Sequence, residues 1–323
     1  MMEEKVRDDF DRARQKAFLN DLKATFGGRA NDLLPFHELR RRLNPESESY
    51  RGMRTVPVSQ IVGSMDRFRD FDRTFLPRKK ATQGRWSRID RAYYEDVRLP
   101  PIQLYKVGDI YFVKDGNHRV SVARERGVEF IDAEVIEGHV RVPLNSEMSP
   151  RELLLQAEYA EFLRRTDLDL VEPDHDIRPT ALGRYDVIWQ HISLHREWLS
   201  SIWHRASTVQ EAVKDWYAWI YMPIVRIVRD RGVLDAFPRL TEADVYLWVM
   251  KYRAELGEEV GHDVGPVESA EDYAEIMTSD RGVGDRISSI MGRAIRVPDA
   301  ATEQKRQKRR RRLRRWPRPR TGM

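Results

Sequence analysis

With 323 residues, 41% of them hydrophobic, the chain has room for two domains with real cores, and the absence of Cys excludes a disulfide framework, a thiol nucleophile and Cys-ligated zinc. The net charge of +5 is uneven: residues 301–323 hold eleven Lys and Arg against the single acid Glu303, leaving 46 bases and 51 acids elsewhere. The body is therefore acidic, which excludes a body-wide basic surface for nucleic acid. No apolar run approaches a membrane span and residues 1–25 are charged throughout rather than signal-like, so a cytoplasmic protein is expected.

Residues 2 to about 25 read as a helix, because Phe10, Ala13, Ala17, Phe18, Leu22 and Phe26 recur near the helical period; Gly27-Gly28 ends it. A short helix after Pro35 carries Leu39 and Leu43 and is broken by Asn44-Pro45. Residues 1–50 thus form a pair of N-terminal helices ahead of the first domain, 51–142. Arg40, Arg41 and Arg42 read as a solvated face.

Thr55 to Ile61 stands at the start of that domain. Residues 66–94, which follow it, hold nine Lys and Arg, four acids and six aromatics. Cations beside rings suit phosphate neutralisation with base stacking. The same segment equally suits a wrap around a small sheet, with rings buried and cations in water. Arg67, Arg69, Arg73, Arg78, Lys79 and Lys80 are its candidate phosphate contacts.

Ile110 to Val113 is a short strand, Val120 to Arg126 a helix closed by Gly127, and Val128 to Ile136 a further strand. Between the first two lies Asp115-Gly116-Asn117-His118-Arg119. The N–H groups that open the helix have no partners within it, and the dipole there favours an anion. Arg119 adds a forked pair of donors for the same anion, of which a phosphate is the obvious example. The bland alternative is that Asp115 or Asn117 caps the helix while His118 and Arg119 solvate the turn.

The parts Thr55–Ile61, Pro101-Ile102, Gly108-Asp109, Ile110–Val113, Asp115–Arg119 and Gly127 together resemble the core of the ParB N-terminal/sulfiredoxin superfamily, over roughly residues 52–138. The resemblance implies an opening strand over Thr55–Ile61 and a small mixed α+β domain with a nucleotide site at the turn, bordered by the 66–94 segment. Sulfiredoxin-like members place a cysteine in the turn; here Asn117 stands there, which excludes that reaction. Nucleotide-binding members use a Gly-x-x-Arg turn against the phosphates, which Gly116 and Arg119 match. Gly116, Asn117, His118 and Arg119 are thus the expected phosphate-binding residues for a nucleoside triphosphate or diphosphate.

Segregation-type ParB proteins carry an acid after the glycine, and an amide at Asn117 cannot supply charge to hold Mg²⁺ or polarise water. Free-serine kinases of the superfamily have an Asp-Gly-His-His-Arg turn and a catalytic carboxylate soon after the opening strand. This chain has Gly63-Ser64 there, with Asp66 the nearest acid and Asp115 the other candidate base. Three readings stay open: a nucleotide-sensing regulatory protein, an enzyme (nucleotide hydrolase or small-molecule kinase), and a DNA-binding transcriptional regulator using the domain as scaffold.

Pro143 to Ser149 is the expected boundary, and Ser149-Pro150-Arg151-Glu152 is a capping box opening an all-α domain, 149–297. Helices are expected over roughly 150–165, 185–203, 208–231 with a kink at Pro223, 241–256, 268–277 and 285–294. Tyr185-x5-His191-x3-His195, Trp216-Tyr217-x3-Tyr221-Met222-Pro223 and Pro238-x2-Thr241-Glu242-Ala243-Asp244-x-Tyr246-x-Trp248 resemble an uncharacterised helical domain found with bacterial ParB-like proteins. His191 and His195 lie one turn apart; with no third ligand they read as hydrogen-bonded packing residues, and no metal site is expected. No short basic recognition helix stands out.

From 301 to 323 the composition is that of a disordered basic tail. Lys305, Arg306, Lys308, Arg309, Arg310, Arg311, Arg312, Arg314 and Arg315 make it an electrostatic arm for DNA or RNA, with an anionic membrane surface the lesser candidate.

Overall fold

The computed structural model describes residues 1–26, 33–67 and 69–278. The Gly27-Gly28 stop, Phe68, the helix expected over 285–294 and the basic tail lie outside the described residues. The architecture is α+β followed by helices, as the patterning implies, and it divides into two compact units, Met1–Glu161 and Phe162 onward.

The first unit opens with α1 (Met2–Phe26), whose buried stripe is Val6, Phe10, Ala13 and Ala17. Phe18 and Leu22, expected on the same face, are 66% and 43% exposed, because they sit roughly 110° and 150° around the helix from the centre of that stripe. After β1 (Leu34–Pro35), α2 (Phe36–Leu43) stops at Asn44, which is left-handed at φ 41° ahead of Pro45. The opening strand becomes two, β2 (Glu48–Pro57) and β3 (Ile61–Ser64), separated by a 3₁₀ turn over Val58–Gln60. Pro57 has no N–H with which to continue a ladder, and the chain turns there.

Then come α3 (Gln83–Tyr94), the hairpin of β4 (Ile102–Val107) and β5 (Ile110–Asp115), α4 (Asn117–Glu125) and β6 (Phe130–Gly138). The sheet has six strands in the order β1-β3-β5-β4-β6-β2, with β3 parallel to β5, β4 parallel to β6, and β2 antiparallel to β6. Ile102, Leu104, Val113, Ala133 and Val135 bury one face against Val120 and Ala123 of α4 and against Phe71 and Phe75. Phe36 covers the other face, its ring 4.6 Å from Phe112 and 4.8 Å from Tyr105. Outside α4, Trp86 of α3 sits against Phe10 of α1 and donates to Ser121 Oγ at 3.0 Å, so three helices clamp one another over the sheet.

The aromatics at 71, 75 and 86 are therefore core, each fully buried, and the wrapping alternative holds for them. Asp72 shapes the wrap: its Oδ1 accepts from Thr74 N, Thr74 Oγ1 and Leu76 N at 2.9, 2.7 and 2.8 Å, and its Oδ2 from Asn20 Nδ2 at 3.0 Å.

The Ser149–Glu152 capping box is in place at α5 (Pro150–Thr166): Glu152 N donates to Ser149 Oγ and Ser149 N to Glu152 Oε2. The division between the units falls within α5, and the second unit runs from Phe162 through α6 (Leu168–Val171), α7 (Arg184–Trp203), α8 (Val209–Trp216), α9 (Met222–Asp230), α10 (Glu242–Val260) and α11 (Pro266–Thr278). Further capping boxes open α8, from Thr208 and Glu211, and α10, from Thr241 and Asp244. Between α8 and α9 the chain makes a π-helical turn, Tyr217–Tyr221. It widens the spiral ahead of Pro223, which lacks an N–H and would otherwise crowd the preceding turn, so the expected kink takes the form of a π-bulge. Trp216, Tyr221, Tyr246 and Tyr273 are its largest buried side chains.

Candidate functional site

The turn from β5 into α4 depends on Gly116. Its φ is 107°, and a Cβ there would lie 2.5 Å from Ile102 Cγ2 and 2.9 Å from Ile102 Cβ. Glycine alone meets both the left-handed backbone and the close approach. Gly116 is also the N-cap, so no side chain caps the helix, and the capping by Asp115 or Asn117 that the sequence allowed does not form. The first intrahelical bond is Val120 N to Gly116 O at 3.1 Å. The N–H groups of Asn117, His118 and Arg119 precede it and need partners from outside the helix.

Two of the side chains on this turn are buried: Asn117 is 7% and His118 8% exposed. Asn117 Oδ1 and both ring nitrogens of His118 are buried without a hydrogen-bond partner among the described residues. Phe71 stands edge-on to the imidazole, with 5.3 Å between centroids. Burial, then the charges of Arg67 and Arg85, push His118 down to about 4, with Asp70 opposing. The ring is neutral at physiological pH, one nitrogen a donor and the other an acceptor.

Arg119 sits differently from the expected clamp. Nη1 donates to the carbonyls of Pro100 and Pro101 at 2.6 and 2.8 Å, and Nη2 to Asp115 Oδ2 at 2.7 Å. Its side chain is 13% exposed and that of Asp115 71%. The fork thus ties the turn to the strand entering β4, and Asp115 is committed to it. Asp66, the other candidate base, is exposed beyond β3.

Of the six candidate cations in the wrap, Arg67 is the one whose charge reaches His118. It pairs with Asp70 at 3.4 Å, and Lys79 reaches the same carboxylate at 2.7 Å. Arg78 pairs with Asp21 at 2.5 Å, Arg69 is also engaged, Arg73 lies near Glu152, and Lys80 is exposed. Arg85 of α3 is the contributor that sequence reasoning left out of the candidate set, because only the docking of α3 on α4 brings it near. The basic tail lies outside the described residues.

In the second unit, Tyr246 Oη accepts from Trp216 Nε1 at 3.0 Å and lies 2.9 Å from His191 Nδ1; His195 Nε2 lies 2.7 Å from Asp215 Oδ1. The two histidines thus have separate partners on α10 and α8.

No family model matches the chain, and no curated protein matches it. Among solved structures it is similar to a Pnob8-like ParB-N domain, at 12% identity over 76% of this chain and 98% of that one, with a TM-score of 0.20.

Proposed function

We propose that the first unit is a ParB-like module that binds the phosphates of a nucleotide at the N-terminus of α4. The observation that carries this reading is the set of unmet polar groups there. Three helix-opening N–H groups, an amide and a neutral imidazole converge on one turn, beside Arg67 and Arg85. A buried donor without a partner costs about 1–3 kcal/mol, and a bound phosphate relieves the donors of this turn, its helix-opening N–H groups and the imidazole N–H. The match of the turn and its flanking strands to the ParB N-terminal/sulfiredoxin pattern supports the same assignment.

In this reading the backbone N–H groups of Asn117 and His118 and the His118 ring N–H donate to phosphate oxygens, and the Asn117 amide joins them once it is turned to present Nδ2 in place of Oδ1. The Arg67 and Arg85 charges hold the anion, and the Arg119–Asp115 pair holds the turn in shape. Two of the acids nearby are paired, Asp115 with Arg119 and Asp70 with Arg67 and Lys79, while Asp66 is exposed beyond β3. That leaves no carboxylate set to hold Mg²⁺ within the turn, and among the described residues no group of three metal-ligating side chains occurs. A sensor that binds rather than hydrolyses is the form this chemistry takes, with the basic tail as its electrostatic attachment to nucleic acid.

The test is calorimetry of the full chain with ATP, CTP, GTP, ADP and inorganic pyrophosphate. At least one nucleotide binds, and the double variant Arg67→Ala/Arg85→Ala weakens it by at least about tenfold. Heats equal to dilution for all five ligands remove the proposal.

A further inference from the structure

A cavity of about 610 Å³ in the first unit lies at the opposite end of α4 from the phosphate turn. Three backbone segments wall it: the 3₁₀ turn at Val58 and Ser59, the Asp72-organised turn at Thr74 and Leu76, and the chain from Gly127 to Phe130. Val58 N donates to Glu129 O at 2.9 Å and closes the first wall against the third. Pro57, Val58, Leu76, Val128 and Phe130 give the cavity an apolar lining, and its volume is that of a small-molecule site.

Arg124 gives it one cation. The guanidinium is held by Nη2 bonds to Val58 O and Ile61 O at 3.1 and 2.6 Å and lies over the Phe75 ring, 5.1 Å from its centroid. Its Nε is buried with no partner, and no carboxylate lies within ion-pair distance among the described residues. The acid nearest in effect is Asp72. That carboxylate is already saturated by Thr74, Leu76 and Asn20. Burial accordingly pulls the Arg124 pKa below its ordinary value. A cation withdrawn from water without a counter-charge is costly, and an anion in the cavity would relieve it.

The lining also sets the charge of that anion. Glu125 and Glu129 stand on the same wall, Glu125 already paired with Lys16 at 2.6 Å. One unpaired cation flanked by acids suits a single negative charge, and the apolar walls suit a hydrocarbon or aromatic body. We infer that this cavity is a second binding site, for a small carboxylic acid with an apolar body whose carboxylate meets Arg124.

The experiment is calorimetry of the full chain with 4-phenylbutyrate and, as the uncharged match, 4-phenylbutan-1-ol. The acid binds at least about tenfold more tightly than the alcohol, and Arg124→Gln removes that difference. Because Arg124 also holds two carbonyls, a second variant stands beside it. Phe130→Asp, at a half-exposed position, leaves those bonds alone and weakens the acid by at least about tenfold by placing a like charge in the wall. Saturating inorganic pyrophosphate leaves the acid's affinity unchanged, which separates this site from the phosphate turn. Equal binding of acid and alcohol, no heat from the acid up to about 10 mM, an unaffected Phe130→Asp, or displacement by pyrophosphate each overturns the inference.

Discussion

Each unit holds a histidine, buried His118 and half-buried His191, whose pKa is pushed to about 4, yet the two are built differently. In the second unit His191 is 2.9 Å from Tyr246 Oη, which takes the Trp216 N–H at 3.0 Å. With the indole donating, the hydroxyl hydrogen is left for Nδ1 of a neutral imidazole, and neither the indole nor that hydroxyl has a donor over; the Tyr221 hydroxyl is the cluster's leftover. In the first unit His118 has the same protonation state and neither nitrogen matched. Burial leads both shifts, helped by Arg67 and Arg85 at His118 and by Arg253 at His191, so a lowered histidine pKa does not by itself mark a site. What separates the two is the hydrogen-bond account: His191 has a partner at Nδ1, whereas neither nitrogen of His118 has one, and it is on that difference that the proposed ligand seat rests.

The glycines of the two units give the largest expected difference. Gly116→Val adds a β-branched side chain at φ 107° where even a Cβ meets Ile102 at 2.5 Å. We expect a loss of about 4 kcal/mol, combining backbone strain and overpacking. Gly183 in the second unit is also left-handed, at φ 79°, but a Cβ there meets nothing within 4 Å. Gly183→Ala should cost only about 1 kcal/mol. Urea unfolding of both variants measures the contrast, and similar losses would mean the turn is not the tight one described.

Acid tests the His191 network next. His191 titrates near 4 in the folded chain against 6.5 unfolded. Between those values the unfolded state binds more protons, so stability is full above pH 6.5 and falls as pH drops toward 4, by about 3 kcal/mol in all. The carboxylates held low in this unit, Glu211 and Asp263, lose their contribution only as pH falls below their ordinary range, so the windows separate. Unfolding followed at pH 7 and pH 5 should show the drop in the wild type and a smaller one in His191→Gln. An equal drop in both would put the effect elsewhere.

Much of the fold was legible. The period of α1, the Asn44-Pro45 break, the Gly108-Asp109 hairpin, the Gly127 stop and the Ser149–Glu152 capping box each act within a few residues, so local sequence suffices to read them. The split of the opening strand was missed because Pro57 also fits an edge strand, and the π-turn because a proline in a helix signals a break without saying how the chain absorbs it. The site was legible in outline only. Gly116, Asn117 and His118 sit where the pattern puts them, but the partners of Arg119 are carbonyls eighteen and nineteen residues earlier, which no local motif encodes. Arg85 and Arg124 gain their meaning from helix docking and from an Asp72 already saturated, neither of which leaves a sequence signal.

The smallest expected effects on stability cut closest to the comparison. Tyr246→Phe removes the hydroxyl that serves both Trp216 and His191, leaving a buried donor and acceptor unmet, and should cost about 2 kcal/mol. His118→Leu removes a polar ring that has nothing to lose. Replacing an unsatisfied group with an apolar one of similar bulk is near neutral or stabilising, so its change should stay within about 1 kcal/mol, some of it from the lost Phe71 edge contact. The same variant should bind nucleotide at least about tenfold more weakly, because the imidazole N–H is gone. Stability kept while binding falls is the signature of a group retained for a ligand. If His118→Leu instead unfolds as readily as Tyr246→Phe, the imidazole is part of a core network like its counterpart, and the distinction between the two histidines disappears.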